Sequence, residues 1–316
     1  MNKLEGHFKG EKPAIFIDGA EGTTGLEIRE RLAELIEKGI IRMVFVEGDA
    51  KDPNQRQKAM NQSDLIVLCL PDQAAKESVQ IASELGSSKP KILDPSTAHR
   101  IAQSWVYGFP EMDGKQSEKI KVADAVSNPG CYATGAIALI RPLIQAGIIP
   151  EDYPVTINAV SGYSGGGKKM IKNYEEGTAP NFELYGLGLE HKHVPEIQTH
   201  GQLTKPPLFV PSVGNFRQGM LVSIPIHLNE LATKPTGRDI AEALTKHYTE
   251  SNTVKVVLHP SSDPGRLSAE ALAKTDKLEL HVFWNEKTGQ AILVAALDNL
   301  GKGAAGAAVQ NIELML

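Results

Sequence analysis

Only two cysteines, Cys69 and Cys131, occur in 316 residues. That is too few for a disulfide framework, so a reducing compartment, the cytoplasm, is expected. No stretch approaches the roughly 18 uninterrupted apolar residues that span a bilayer. The opening MNKLEGHFKGEKP lacks the apolar core of a secretion signal, so the expectation is a soluble, unprocessed chain with no membrane partner. Excess positive charge is also missing: the formal charge is −5 and the pI about 6.0. This gives no footprint for nucleic acid and points to a small-molecule ligand. No internal repeat and no low-complexity linker separates parts of the chain, although its length suffices for two cores. Neither the histidine spacing nor a third ligand makes a metal site, so none is expected.

What the sequence does contain begins with a strand, a glycine turn and a helix. AIFIDG (14–19) is a buried-strand run, Gly19, Gly22 and Gly25 follow, and LEIRERLAELIEKG has helical spacing. Such a turn lets backbone N–H groups approach a pyrophosphate, and Thr23 and Thr24 add hydroxyls. The spacing is G-x-x-G-x-x-G, and a plain βα turn is the competing reading. IRMVFVEG (41–48) carries Glu47 where an acid meets an adenosine ribose, whereas Lys51 and Arg56 offer cations for a 2′-phosphate; the local signal is mixed. LIVLCLP (65–71) reads as a third strand, with Cys69 as a core residue and Pro71 as its end. KILDPSTAHR then empties a strand into a loop bearing Arg100, either a surface charge or a clamp for a carboxylate.

SNPGCYATG holds the reactive candidate. Strand-like KVADAVS, the Pro129-Gly130 turn and the helical run after it place Cys131 at or near a helix N-terminus, where the dipole and open N–H groups stabilise a thiolate. Pro142 is expected to kink or split that helix. Beyond it, PVTINAVSG, PLFVPSV, GMLVSIPIHL, VKVVLHP, LELHVFW and QAILVAAL read as strands of a largely antiparallel sheet. SGYSGGGKKM is a glycine turn with lysines, suited to an oxyanion or equally a surface loop. His191-Lys192-His193 offers a base for the thiol. The tail ends in a small-residue helix expected to return to the first domain.

Taken in order, GAEGTTGLE, LCLPD, DPSTAHR, YGFPE, SNPGCYATG, SGYSGGGK, HKHVPE, FRQGM and DNLGKGAAGAAVQN resemble the N-acetyl-gamma-glutamyl-phosphate reductase family of arginine biosynthesis, in its shorter form. The resemblance covers residues from about 14 to 316. It implies an α/β fold: a Rossmann-type nucleotide-binding domain over 1–130 and 300–316, with 1–12 a mobile tail, and an α+β substrate and oligomerisation domain with a mostly antiparallel sheet over 131–299. It implies NADPH-dependent reduction of an acyl phosphate in a homodimer or homotetramer, with NAD left open by Glu47. Carried over residue by residue, Cys131 matches the nucleophile and His193 the acid/base, with His191 a substrate contact or the alternative base. Arg100 would hold the substrate carboxylate and Lys168 the phosphate. Gly19, Glu21, Gly22, Thr23, Thr24, Pro71 and Asn299 would meet the cofactor. Two rivals share the fold: an aspartate-semialdehyde dehydrogenase-like enzyme, and a catalytically silent NADP-binding redox sensor with Cys131 as its oxidisable thiol.

Overall fold

A computed structural model describes residues 8–259 and 265–316. The chain divides into two compact units, residues 1–110, 114–129 and 304–316 in the first and 111–113 with 130–303 in the second.

In the first unit, β1 (Ala14–Asp18), β2 (Arg42–Val44), β3 (Leu65–Leu68), β4 (Lys91–Asp94), β5 (Val106–Tyr107) and β6 (Ala125–Ser127) form one sheet in the order β2-β1-β3-β4-β6-β5. Every pairing in it is parallel. Parallel neighbours need crossovers, supplied by α1 (Thr23–Glu37), α2 (Pro53–Asn61), α3 (Asp72–Ser83) and α4 (Gln116–Val122). Side chains alternate across β1: Ile15 and Ile17 join Ile28 and Leu32 of α1 and Ile312 of the final helix Gly306–Met315, while Phe16 joins Met60 and Ala75 on the other face. The tail thus returns to this unit. The mobile stretch expected over 1–12 lies partly outside the described residues. Within 8–12, Lys9 is held: its amide donates to Asp64 Oδ1 at 2.8 Å and its Nζ to the carbonyls of Asn61 and Ser88 at 3.0 and 2.6 Å.

The second unit is built on α5 (Cys131–Gln145) and a seven-stranded sheet. Its strands are β7 (Thr156–Gly162), β8 (Phe182–Leu184), β9 (Leu208–Gly214), β10 (Met220–His227), β11 (Val254–Val257), β12 (Leu278–Asn285) and β13 (Gln290–Leu297). The order is β11-β12-β13-β10-β7-β9-β8. The pairs β7/β9 and β11/β12 are parallel and the other four antiparallel, so the sheet is mixed and mostly antiparallel, as expected. The helices α6 (Gly167–Glu175), α7 (Val194–His200) and α8 (Gly237–His247) complete the unit. α5 packs on β10, β12 and β13, and α7 and α8 pack against α5. Gly135 makes this close approach possible, since a Cβ there would stand 2.9 Å from the Val222 side chain. The opposite sheet face carries a hollow of about 800 Å³ whose lining includes Val160, Leu221, Val282, Trp284 and Ile292.

Pro142 does not split α5, which runs unbroken to Gln145. A proline at this position supplies no N–H to the carbonyl four residues earlier, that of Ala138. The buried Tyr248 hydroxyl fills the vacancy, donating to the Ala138 carbonyl at 2.9 Å.

Candidate active site

Cys131 is the first residue of α5. Gly130 caps the helix without any side-chain hydrogen bond, leaving the helix start to backbone groups and their dipole. The Gly130 amide donates to Glu196 Oε1 at 2.8 Å, and Glu196 is buried on α7, three residues beyond His193. One carboxylate therefore ties the turn that presents the thiol to the helix that follows the histidines. From the other side, a Cβ on Gly303 would lie 2.9 Å from the Cys131 Cβ. Gly303 sits in a π-helical turn, Gly301–Ala305, and only glycine lets that turn lie against the nucleophile.

The thiol opens on a cavity of about 230 Å³ whose lining includes Ser161, Gly166, Met170, Tyr185, His191 and Lys192. His191 sits among aromatic rings, with centroids 5.9 Å from Tyr132, 5.7 Å from Tyr185, 5.1 Å from Phe209 and 4.8 Å from His193. Burial, and then the charge of Lys192, push its pKa down to about 4 against an opposing pull from Glu196. Its Nδ1 accepts the His193 amide at 3.1 Å, so the neutral ring carries its proton on Nε2. His193 caps α7, is 5% exposed and meets the Tyr132 ring edge-on at 5.8 Å. The Tyr185 hydroxyl donates to that of Tyr132 at 3.1 Å, which donates on to the Ser212 carbonyl at 2.9 Å. Burial pushes the Tyr185 phenol up to about 12 and the Tyr132 phenol higher still, so both remain protonated donors at neutral pH.

Lys168 is exposed at the start of α6 and is not among the residues lining this cavity, whereas Lys192 is. Asn299 is buried with both ends of its amide engaged: Oδ1 accepts the Gly219 amide and Nδ2 donates to Ser164 Oγ, each at 2.8 Å. It thereby pins the SGYSGGG turn. Tyr185, Lys192, Glu196 and Gly303 also belong to this site, although the sequence pattern assigns them no role. Glu196 had a local signal, three residues beyond His193 at helical spacing with Pro195 opening the helix; Tyr185 had none.

In the first unit, Gly19 has φ +86°, and a Cβ there would stand 2.3 Å from the Cys69 carbonyl oxygen. The glycine turn is thus packed beside the Cys69–Pro71 turn, at the C-terminal ends of the neighbouring strands β1 and β3. Gly22 caps α1 with no side-chain hydrogen bond, and Gly25 lies so close that its Cβ would be 2.7 Å from the Gly19 carbonyl oxygen. Glu21 is exposed at this turn and Gly22, Thr23 and Thr24 are part-buried. An uncapped helix start behind a glycine turn, on a parallel sheet, fits the pyrophosphate of a dinucleotide.

Arg56 corrects one sequence expectation. It is buried, and its guanidinium donates to Asp18 Oδ2 at 3.2 and 2.6 Å and also to Ser78 Oγ. The fork is spent inside the core rather than offered to a 2′-phosphate, while Glu47 and Lys51 remain exposed beyond β2. Arg100 is also buried. Its Nε donates to the Asn128 carbonyl at 3.0 Å and Nη2 to the Pro95 carbonyl at 2.8 Å, which fixes the guanidinium in one orientation. Cys69 is part-buried, and loss of water followed by the charges of Asp94 and Asp18 pushes its thiol up to about 12. Among the described residues there is no group of three or more His, Cys, Asp or Glu side chains able to hold a metal, and no helix is long and apolar enough to cross a membrane.

Two family profiles match the chain: one described as semialdehyde dehydrogenase, NAD binding domain, over residues 14–121, and one described as semialdehyde dehydrogenase, dimerisation domain, over residues 131–299. The N-acetyl-gamma-glutamyl-phosphate reductase of Allorhizobium ampelinum is 51% identical over 96% of this chain and 98% of its own. That of Brucella ovis is 50% identical over 96% and 99%. Among solved structures, aspartate semialdehyde dehydrogenase from Francisella tularensis aligns with a TM-score of 0.71 at 14% identity, covering 95% of this chain and 99% of that one. The aspartate semialdehyde dehydrogenase from Candida albicans, solved with NADP, aligns at 0.62 and 12%, covering 96% and 98%. Those structures share the fold; half of all residues, kept along nearly the whole length of the curated relatives, place this chain in the N-acetyl-gamma-glutamyl-phosphate reductase family.

Proposed function

We propose that this protein reduces N-acetyl-γ-glutamyl phosphate to the corresponding semialdehyde and phosphate, as a cytoplasmic enzyme of arginine biosynthesis. The carrying observation is Cys131 at the uncapped start of α5, opening on a cavity shared with His191. Cys131 Sγ attacks the acyl carbon, the carbon–oxygen bond to phosphate breaks, and a thioester remains on the protein. The nicotinamide, when bound, supplies the hydride that reduces this thioester. His193 takes the thiol proton and manages protonation at the hemithioacetal oxygen, while His191, neutral with its proton on Nε2, donates to a substrate oxygen. Arg100, held rigid by two carbonyls, meets the substrate carboxylate.

NADP is the proposed cofactor. With Arg56 committed to Asp18, Lys51 is the cation of the β2 loop left to meet the 2′-phosphate. Lys51→Ala should therefore lower kcat/KM for NADP(H) more than for NAD(H). A wild-type preference for NAD that disappears in Glu47→Ser would refute the assignment. The assembly proposed is a homodimer or homotetramer formed through the hollowed sheet face of the second unit.

Phosphate-dependent oxidation of N-acetylglutamate semialdehyde tests the reaction. Wild-type protein should turn over this aldehyde in preference to aspartate semialdehyde, and Cys131→Ser should bind dinucleotide without turnover. Residual activity within about tenfold of wild type would exclude covalent thiol catalysis.

A further inference from the structure

An acyl phosphate brings about two negative charges to the thiolate that must attack it, so the cavity needs a cation on the phosphoryl side. Among the described residues, Lys192 is the only lysine or arginine lining it. The adjoining His191 is neutral above about pH 4 and supplies hydrogen bonding without charge. Among the described residues, no carboxylate pairs with Lys192 in an ion bridge of the kind that occupies Lys172, Lys205 or Lys302. Gly165 and Gly166, from the short turn before α6, line the same cavity and bring main-chain groups rather than side chains to it. Their lack of bulk leaves room for a tetrahedral anion beside the thiol. Lys168 and Lys169 of that glycine turn lie outside this lining; Lys168 and Lys192 are both exposed, so it is the lining and not burial that separates them.

We propose that Lys192, the central residue of the HKH triplet, is the phosphate-binding cation of the reaction and does the work that the family resemblance implied for Lys168. This deepens the function proposed above and rests on it. In the forward direction the Lys192 ammonium pairs with the phosphoryl oxygens before attack. As the Cys131 sulfur forms its bond to the acyl carbon, the bridging oxygen leaves with the bonding electron pair, and the ammonium holds the departing orthophosphate. In reverse, a phosphate oxygen held by Lys192 attacks the thioester carbon, and the bonding pair returns to sulfur as thiolate. A compact ammonium suits this role because its charge can follow the group as it separates.

Kinetics of the phosphate-dependent aldehyde oxidation would be compared for wild type, K192Q, K192R and K168Q. The expected result for K192Q is a rise of at least tenfold in the KM for phosphate, with the dissociation constant for NADP within twofold of wild type and partial recovery in K192R. K168Q should leave the KM for phosphate within twofold. A second readout needs no turnover: inorganic phosphate should slow alkylation of Cys131 by iodoacetamide in wild type and K168Q but not in K192Q, scored as the ratio of rates with and without phosphate. Failure of the aldehyde assay with phosphate protection intact would count against the proposed substrate while leaving the anion site standing. Protection that is absent in wild type, survives in K192Q, or is lost in K168Q instead would overturn the assignment, as would an unchanged KM for phosphate in K192Q.

Discussion

At the scale of single residues, the proposed mechanism keeps the division that the family resemblance implies for the two histidines around Lys192, His193 as acid/base and His191 as substrate contact. Burial and the neighbouring ammonium hold His191 near 4, below the range in which an acid/base group works at neutral pH. In the proposed mechanism the acid/base limb of the pH–rate profile therefore belongs to His193. His193→Asn should slow turnover by about 10²–10⁴-fold and remove that limb, whereas His191→Asn should weaken substrate binding and leave the limb in place. The reverse outcome in a pair of pH profiles would exchange the roles. Placements that depend on sequence neighbours are legible in the sequence, as with Cys131 at the start of α5, where Pro129-Gly130 dictates a turn before a helical run. Those defined by distant partners were not. Nothing near Arg56 announces that Asp18, 38 residues away, takes its guanidinium. The cost of breaking this buried pair makes a separate test: Arg56→Ala strands the Asp18 charge and should destabilise the first unit by roughly 3–5 kcal/mol in chemical denaturation, with no selective effect on NADP.

At the scale of elements, α5 shows why a local rule misjudged a helix. Proline removes one amide from the ladder, and taken alone that suggests a break at Pro142. Tyr248, which follows α8, repairs the loss with a hydroxyl donated to Ala138. The repair is visible only in three dimensions, because 110 residues separate donor and acceptor. The prediction is a coupling energy. Tyr248→Phe should cost about 1–3 kcal/mol by leaving a buried carbonyl unsatisfied. In a Pro142→Ala background, where an amide is available, the same change should cost measurably less. A double-mutant cycle in urea checks this, and additivity would mean that the hydroxyl is not standing in for the missing amide. Strands that were long and apolar were read correctly as strands. β8 gives no usable signal because Phe182-Glu183-Leu184 alternates over only three residues, and its apolar pair is exposed.

At the scale of the whole molecule, acid should loosen the second unit through two of its histidines. His281 is pushed down to about 4 by burial and then by His259, whose Nε2 lies 2.8 Å from His281 Nδ1. His191 is depressed to a similar value. Both folded pKa values lie below the unfolded value of about 6.5, so the unfolded chain takes up protons first. The stabilisation is complete above about pH 6.5 and is lost progressively as pH falls toward 4. Urea midpoints across that range should fall with acidification, and His281→Asn should flatten the fall; an unchanged slope would remove His281 from the account. The hollow on the open sheet face gives the complementary prediction about assembly. Ile292, 39% exposed within it, should be covered in the oligomer, and Ile292→Lys should shift sedimentation to the monomer.

The contrast between the two thiols reaches beyond chemistry into counting. Cys69, held near 12, stays protonated under any ordinary labelling condition, while Cys131 sits where a helix start favours the thiolate. Each chain should therefore accept one alkyl group rather than two, which would make intact mass a census of competent centres in a preparation. An assembly in which only half the subunits are poised for attack would declare itself as two equal mass peaks, before any substrate is added.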